Sequence, residues 1–338
     1  MKKLISLILM TALVLTACIG FASCEEKKTY TIGICQIQPH VALDAATQGF
    51  KDTLIAEFGE ENVTFIEQNA QGDANACATI VNDFVTKNVD LILGNATPAL
   101  QAAANGTETI PVLGTSVTEY GVALDIDNFS GTVGTNVSGT SDLAPLDQQA
   151  QMILDLFPDA KTVGMLYCSS EANSAYQVAE VKKYLGAKGI TCVDFPFSDS
   201  NDVSVVSAAA AAGSDVIYIP TDNTAATCTE AINGAVLPTK TPIIAGEEGI
   251  CGGCGVATLS ISYYDLGVKT GEMAAEILLN GGDITKMPIQ YDEDVVYKYN
   301  PEFCKKAGIT VPEGYVALGE DAPAEEAASE PASETVSE

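Results

Sequence analysis

The stretch YTIGICQIQPHVALDAATQGFKDTL, residues 30–54, contains the unit from which the whole fold is predicted. Its first eight residues are mostly apolar, which is typical of a strand that helices cover on both faces. Apolar residues then recur at Leu43, Ala46, Phe50 and Leu54, on one stripe of a helix. The stretch therefore predicts a buried parallel strand followed by a helix that packs on it.

The same pattern recurs along the chain in two series. Strand candidates begin near residues 30, 63, 90 and 110, and again near residues 162, 190, 215 and 241. Each interval leaves room for one helix and two turns, which a connection between parallel strands requires. Two later segments, 256–262 and 295–299, have the composition of additional strands.

The two series predict an α/β fold with two doubly wound parallel-sheet lobes joined by a hinge. The Gly- and Thr-rich stretch GTVGTNVSGTS, residues 131–141, separates the series and is the predicted hinge. Lobe 1 is predicted to comprise residues 29–140 with about 263–290, and lobe 2 residues 141–262 with about 291–316. Because ligands of open α/β sheets bind beyond the carboxyl ends of the strands, we expect a site in the cleft between the lobes.

The N-terminal residues are predicted to be a targeting segment. Lys2 and Lys3 precede an apolar run from Leu4 to Leu15, too short for a membrane-spanning helix. The sequence LTAC at residues 15–18 resembles a bacterial lipobox, which implies a signal peptide at 1–17, lipidation of Cys18 and a lipidated linker at 18–28. An ordinary secretory signal with an incidental cysteine is the alternative, and Cys24 is a weaker second candidate for lipidation.

The C-terminal residues 317–338 are predicted to be a disordered acidic tail. They consist largely of Ala, Ser, Pro and Glu and contain no aromatic residue. Such a segment cannot bury enough apolar surface to offset the entropy lost on ordering.

Composition excludes several classes of function. The 338 residues contain 16 Lys+Arg and 45 Asp+Glu, a formal net charge of −29, which excludes a nucleic-acid-binding surface built on clustered cations. His40 is the single histidine, so a multi-histidine metal site is excluded. The chain has no nucleotide-binding glycine motif and no Gly-x-Ser-x-Gly elbow. We therefore predict no metal, no cofactor and no enzymatic activity.

The loops that follow the predicted strands are rich in amides, hydroxyls and acids and almost free of lysine. Acids such as Asp142, Asp222 and Glu247 suit an ammonium group, and hydroxyls with free N–H groups at helix starts suit a carboxylate. Together they fit a zwitterion such as an amino acid. Turn and helix-cap chemistry is the alternative explanation for each single residue.

A Cys-x-x-Cys sequence occurs at Cys251-Gly252-Gly253-Cys254. Redox activity, half of a metal site and a local disulfide are all compatible with this spacing. A structural disulfide is favoured, either between Cys251 and Cys254 or to Cys228, because no second motif completes a zinc site.

The chain resembles the substrate-binding lipoproteins of ABC importers, of the kind related to tryptophan and aromatic amino-acid uptake. The matching segments include QIQPHVALDAATQGFKDTL, NAQGDANACATIVNDFV, DLILGNATPALQAAA, NSAYQVAEVKKYLGAKGI and YYDLGVKTGEMAAEIL. The resemblance covers residues 30–315 and implies the type I periplasmic-binding fold, with a ligand closed between two lobes.

The resemblance also implies the positions that face the ligand. They are Gln36, His40, Asn69, Thr97, Ser116, Thr118, Asn173, Asp222, Asn223, Glu247 and Tyr263. For His40 the alternative is a loop histidine bonded to a carbonyl group. Tyr120, Tyr176, Tyr263 and Tyr264 are candidate platforms for an apolar ligand side chain, and core packing is the alternative for each.

The resemblance implies an extracytoplasmic, lipid-anchored, monomeric solute-binding protein of the cell membrane. Its partners would be a small zwitterionic ligand, with an amino acid and especially an aromatic one favoured, and the permease and ATPase subunits of an ABC importer. A sugar, nucleoside or signal receptor of the same fold that feeds a sensor protein is the alternative.

Overall fold

A computed structural model describes residues 28–292 and 294–320. The predicted signal peptide, Cys18, Cys24 and residues 321–338 of the predicted tail lie outside the described residues. Among the helices of the described part, none combines the length and the apolar character needed to cross a membrane.

The strands of the structure begin and end close to the predicted positions. They are β1 (Tyr30–Gln36), β2 (Val63–Asn69), β3 (Leu91–Asn95), β4 (Val112–Val117), β5 (Val137–Ser141), β6 (Thr162–Cys168), β7 (Thr191–Phe197), β8 (Val216–Ile219), β9 (Ile243–Ala245), β10 (Ala257–Ser260), β11 (Gln290–Tyr291), β12 (Val296–Tyr299) and β13 (Val316–Ala317).

Helices occupy most of the intervals between the strands. They are α1 (Val41–Phe58), α2 (Ala74–Lys87), α3 (Thr97–Gly106), α4 (Tyr120–Ala123), α5 (Leu146–Leu156), α6 (Ala172–Ala187), α7 (Val203–Gly213), α8 (Asn223–Thr227), α9 (Thr229–Val236), α10 (Glu248–Cys254), α11 (Tyr263–Asn280) and α12 (Pro301–Ala307). Short 3-10 helices lie at Glu60–Asn62 and Ile284–Lys286.

The strands form two sheets, which confirms the predicted α/β fold. The first sheet has the order β11-β5-β4-β3-β1-β2 and is parallel throughout. The second has the order β13-β12-β10-β9-β8-β6-β7 and is parallel except where β10 pairs with β12. Apolar clusters cover each sheet on two sides, which explains why strands such as β3 and β8 are buried at every residue.

The predicted hinge at 131–141 is wrong in its second half, because residues 137–141 form β5 in the interior of the first sheet. The side chains of these small residues are buried, and Gly139 has a φ of +146° where its Cα approaches the backbone of Gly114. A stretch rich in Gly and Thr is therefore a close-packed strand here.

The chain passes between the two sheets three times: after β5, between β10 and α11, and between β11 and β12. Ala144, Ile261 and Tyr263, from the first two crossings, pack with the first turns of α1 in one small apolar cluster. The predicted lobe boundaries at 140 and 290 each fall one residue short, since Ser141 and Tyr291 are still paired in the first sheet.

Two further details position the site. Helix α11 packs closely along α1, and a side chain at Gly49 or Gly267 would clash with a backbone carbonyl of the other helix. This contact fixes the start of α11 beside the start of α1. At the other end of the chain, Ala317 pairs with Tyr299 as part of β13, so the predicted tail begins with a strand residue rather than with disorder.

Candidate functional site

A small cavity lies between the two sheets, where the carboxyl ends of their strands face each other. It has a volume of about 10 Å³, enough for a single water molecule at most. The inter-sheet cavity is lined by His40, Leu43, Asp142, Thr221, Asp222, Asn223, Ala226, Glu247 and Tyr263. The first sheet and its helices contribute the first two residues, and the crossings and the second sheet contribute the others.

Asp142 begins the first crossing and is 2% exposed. Its Oδ2 accepts a hydrogen bond from the Tyr263 hydroxyl at 2.9 Å, and the Thr118 hydroxyl lies close to the carboxylate. Its Oδ1 is buried and has no partner among the described residues. Burial raises the pKa of Asp142, while the two hydroxyl donors lower it. One carboxylate oxygen is therefore left to bind a donor that the chain itself does not supply.

Two more carboxylates of the cavity are helix N-caps. Asp222 accepts from the Ala225 N–H at 2.8 Å and from the Cys168 N–H at 2.6 Å, at the start of α8. Glu247 accepts from the N–H groups of Gly249 and Ile250 at the start of α10. Acidic residues suit such positions because helix N-termini offer unpaired donors and a positive dipole end.

Burial shifts the titration of both caps. It raises the pKa of Asp222 to about 8, and the neighbouring Glu171 carboxylate adds to the rise. It raises the pKa of Glu247 to about 7, against the lowering effect of the Gly249 and Ile250 N–H groups. None of the residues that line the inter-sheet cavity is a lysine. Three buried acids without a cation beside them make this cavity a place for a positively charged group.

His40, the N-cap residue of α1, faces Asn223 of the second lobe. Its Nε2 lies 3.4 Å from the Asn223 Oδ1, and burial lowers the pKa of the imidazole. The Gln38 side-chain amide donates to the backbone oxygen of Asn223. Glu171 accepts from the Asn223 Nδ2 at 2.7 Å, so the Asn223 Oδ1 is left to face His40. These contacts form the inter-lobe latch, defined as Gln38, His40 and Asn223.

Five of the eleven residues that the resemblance implies lie on the inter-sheet cavity. They are His40, Asp222, Asn223, Glu247 and Tyr263. Thr118 lies close to Asp142, and its hydroxyl lowers the pKa of that carboxyl group. Ser116 and Asn173 are buried nearby at strand and helix ends, and the Ser116 Oγ and the Asn173 Oδ1 have no partner among the described residues. Ser116 also has a φ of +55°, a left-handed conformation that costs energy for a residue other than glycine.

Like Thr118, Ser116 and Asn173, the remaining three of the eleven do not line the inter-sheet cavity. Gln36 bonds to Thr47, Asp44 and Asn95 inside the first lobe. Asn69 accepts from the N–H and the side chain of Gln71 in a turn. Thr97 is the buried first residue of α3. All three belong to the strand ends of the first sheet, and none contributes to the lining.

The lining also contains four residues outside that set: Leu43, Asp142, Thr221 and Ala226. Asp142 is one of the three acids that the sequence predicts for an ammonium group, although the resemblance does not include it among the ligand-facing positions. The sequence feature that identifies Asp142 is its position as an acid directly after the end of β5. Leu43 was recognised only as part of the apolar stripe of α1.

The disulfide predicted in the Cys-x-x-Cys sequence is not formed among the described residues. Cys228, Cys251 and Cys254 are free thiols in the structure, and the last two lie in α10. Burial raises the pKa of the Cys254 thiol well above its usual value, as expected for an unreactive core cysteine.

Of the four candidate tyrosine platforms, Tyr263 lines the inter-sheet cavity. Tyr120 is a core residue whose hydroxyl donates to the Thr140 backbone oxygen at 3.0 Å. Tyr264 is exposed and bonds to Asp52. Tyr176 packs against the apolar cluster of the second sheet. Core and surface packing thus account for three of the four rings.

Comparison with known proteins gives one family for most of the chain. Residues 31–321 match the family model of ABC transporter substrate binding proteins. The chain is 35% identical over 305 residues to the tyrosine-binding protein of Clostridioides difficile strain R20291, covering 85% of this chain and 87% of that protein.

Two solved structures allow the conformation to be compared. An ABC domain in complex with L-Trp from Streptococcus pneumonia has a TM-score of 0.81 at 32% identity, over 85% of this chain and 97% of that one. A ligand-free, open substrate-binding protein with adhesive properties from Clostridium difficile has a TM-score of 0.66 at 36% identity, over 86% and 99%. The structure is more similar to the L-Trp complex although the open protein is closer in sequence. The inter-lobe latch joins the two lobes directly across the cleft, so the lobes are in a closed arrangement.

Proposed function

This chain belongs to the family of ABC transporter substrate binding proteins, and we propose that it binds an aromatic L-amino acid between its two sheets. The ligands named for its relatives, tyrosine and L-Trp, support this class. The observation that carries the proposal is the buried Asp142 carboxylate, whose Oδ1 has no partner among the described residues. An α-ammonium group supplies the missing donor.

Each part of the ligand has a counterpart at the site. The ammonium group binds Asp142, and its positive charge lowers the raised pKa values of Asp222 and Glu247, so that both add negative charge around it. The carboxylate binds at the start of α1, where the side chain of the N-cap residue His40 accepts no hydrogen bond from the helix. The aromatic ring packs on Tyr263 and Leu43, the apolar part of the lining.

Binding requires the lobes to separate. The inter-sheet cavity of about 10 Å³ is far below the roughly 300 Å³ and more of small-molecule sites, so a ligand enters an opened form and the lobes close around it. The ligand then stabilises the closed state by contacting both lobes, which is a shift of population. The inter-lobe latch holds the same closed arrangement without ligand.

The cellular role we propose is capture of the amino acid outside the cytoplasm and delivery to the permease of an ABC importer. The LTAC sequence supports attachment of the protein to the membrane through lipidated Cys18. A Cys18→Ala variant is expected to leave the membrane fraction and to lose incorporation of an alkyne-labelled fatty acid. Retention of both by the variant would contradict lipidation at this position.

Calorimetry with a set of related ligands tests the binding proposal. L-tyrosine, L-tryptophan and L-phenylalanine carry both charged groups, whereas tyramine lacks the carboxylate and 3-(4-hydroxyphenyl)propanoate lacks the ammonium. We expect one molecule of an aromatic L-amino acid per chain, and affinities at least tenfold weaker for both truncated analogues. Tight binding of the analogue without ammonium, or of glucose or adenosine instead, would contradict the proposal.

A further inference from the structure

A second cavity lies in the second lobe, at the edge of the sheet opposite to the inter-sheet cavity. Its volume is about 350 Å³, within the range of small-molecule sites. Its floor is formed by Val236, Ile243, Cys254 and Val256, all nearly fully buried. Ile243 is the first residue of β9 and Val256 directly precedes β10, so this distal cavity opens at the amino ends of the strands.

The rim of the distal cavity combines apolar and cationic side chains. Leu237 is 53% exposed and lies at the end of α9. Lys306 lies with its Nζ 5.1 Å from the centre of the Phe303 ring, on α12. Lys240 is exposed and forms no ion pair within the described part of the chain. Lys306 pairs with the exposed Glu302 at 2.6 Å.

The charge of this rim is unusual for the molecule. The chain has a formal net charge of −29, and acids outnumber cations almost threefold. Among the twelve residues that line the distal cavity, two are lysines and none is acidic. An apolar floor under a cationic rim is complementary to a molecule with an apolar body and one negative group.

We propose that the distal cavity binds a small amphiphilic anion, such as a medium-chain carboxylate. The hydrocarbon chain packs on the buried floor, and the anionic group pairs with Lys240 and Lys306 at the rim. Each buried methylene contributes about 0.8 kcal/mol of transfer free energy, so binding strengthens with chain length until the floor is filled. This site shares no lining residue with the inter-sheet cavity and is independent of the amino-acid site.

Fluorescence of 1-anilinonaphthalene-8-sulfonate, itself an amphiphilic anion, tests the proposal on the full chain purified without detergent. We expect one saturable site from which decanoate displaces the probe, hexanoate does so more weakly, and the decyltrimethylammonium cation does not. Saturating L-tyrosine is expected to leave the probe bound. Probe release by L-tyrosine would overturn the proposal, because it would place the probe in the inter-sheet cavity.

Charge-reversing variants locate the site. Lys240→Glu and Lys306→Glu are exposed changes and are each expected to weaken decanoate binding by about tenfold. Lys188→Glu is the matched control, since Lys188 is also exposed and unpaired in the described part but lies at the end of α6. Equal effects of all three variants would overturn the proposal.

If the distal cavity is occupied by something other than an amphiphilic anion, the binding and sedimentation experiments give different results. A full chain that binds no probe would overturn the proposal, and occupation of the distal cavity by residues 321–338 would have this effect. Association of two chains that Leu237→Glu abolishes, observed by sedimentation without any amphiphile, would overturn it in favour of a second copy of the chain. One probe per monomer at all protein concentrations is the result that the proposal requires.

Discussion

The strand ends of the first sheet and those of the second sheet carry similar polar residues but use them differently. At the end of β1, the Gln36 amide donates to Asp44 at 2.7 Å and accepts from Thr47 at 2.7 Å, and Asn95 donates to Thr47 at 2.9 Å. These side chains bond mainly to one another, although the Asn95 Oδ1 is buried without a partner among the described residues. The acids at the second sheet and the first crossing have no cation beside them.

The comparison separates residues that build a lobe from residues that receive a ligand. A polar group whose partners all lie in its own lobe stabilises that lobe whether the cleft is open or closed. A buried carboxylate oxygen without a partner, such as the Asp142 Oδ1, costs free energy until something binds to it. Changes in the first group should therefore affect stability, and changes in the second should affect affinity.

The largest effect is expected for Asp142→Asn, which keeps the shape of the side chain and removes its charge. We expect the affinity for L-tyrosine to fall about 10- to 100-fold, because a hydrogen bond to a charged group contributes about 1.5–3 kcal/mol. Calorimetry measures the change. The control is Glu272→Gln, an exposed acid on α11, which should bind as the wild type does. Unchanged affinity in Asp142→Asn would remove the distinction between the two regions.

The second prediction concerns pH and uses Glu247, whose pKa is raised to about 7 in the ligand-free protein. A carboxyl group with a raised pKa stabilises the folded state fully below its unfolded pKa of about 4.3, and this stabilisation is lost as the pH rises through 7. The ligand-free wild type should therefore lose stability relative to Glu247→Gln between pH 5 and pH 8, by about 2–3 kcal/mol.

Denaturant unfolding of both proteins at several pH values measures this difference. Saturating L-tyrosine should reduce the pH dependence, because an ammonium group nearby favours the charged carboxylate. A difference between the two proteins that is constant from pH 5 to pH 8 would contradict the raised pKa.

The third prediction concerns the first lobe. Thr47→Val keeps the size of the side chain but removes the hydroxyl that joins Gln36 and Asn95. We expect a loss of about 1 kcal/mol of stability, since buried amide groups lose a partner, with the affinity for L-tyrosine changed less than twofold. Thr53→Val is the control on the same helix, because its hydroxyl bonds only to the Gly49 backbone oxygen. A large loss of affinity in Thr47→Val would place this network at the ligand.

The smallest effect is expected at the inter-lobe latch. Gln38→Ala removes the side-chain donor to the Asn223 backbone oxygen across the cleft. A single hydrogen bond of this kind contributes on the order of 0.5–1.5 kcal/mol to the closed state. Small-angle scattering of the ligand-free variant should show a larger radius of gyration than that of the wild type, and ligand should restore the closed value. Identical scattering of the two ligand-free proteins would contradict the role of the latch.

Much of the fold was predictable from the sequence, because the period of apolar residues is a local property. The intervals between apolar runs located the strands β1–β4 and β6–β9 within a few residues. The acids Asp222 and Glu247 were also accessible, since both occur where a strand ends and a helix begins. What these signals share is that each depends on neighbours within a few residues.

The sequence does not predict in the same way which strand-end side chains pair within a lobe and which face the ligand. Gln36 and Asp222 both follow a strand, but whether a side chain is paired depends on residues far apart in the chain, such as Asn95 for Gln36. The same reason applies to the pairing of Asp142, although the sequence does predict this acid as a partner for an ammonium group. Its partner Tyr263 is 121 residues away, and the strand before it has the composition of a loop.

A crystal structure of the complex with L-tyrosine tests the central claim most directly. The account predicts closed lobes, with the amino nitrogen of the ligand within hydrogen-bond distance of the Asp142 Oδ1 and its ring against Tyr263. A complex in which the ligand is bound elsewhere, or in which the Asp142 Oδ1 makes no contact with it, would contradict the account.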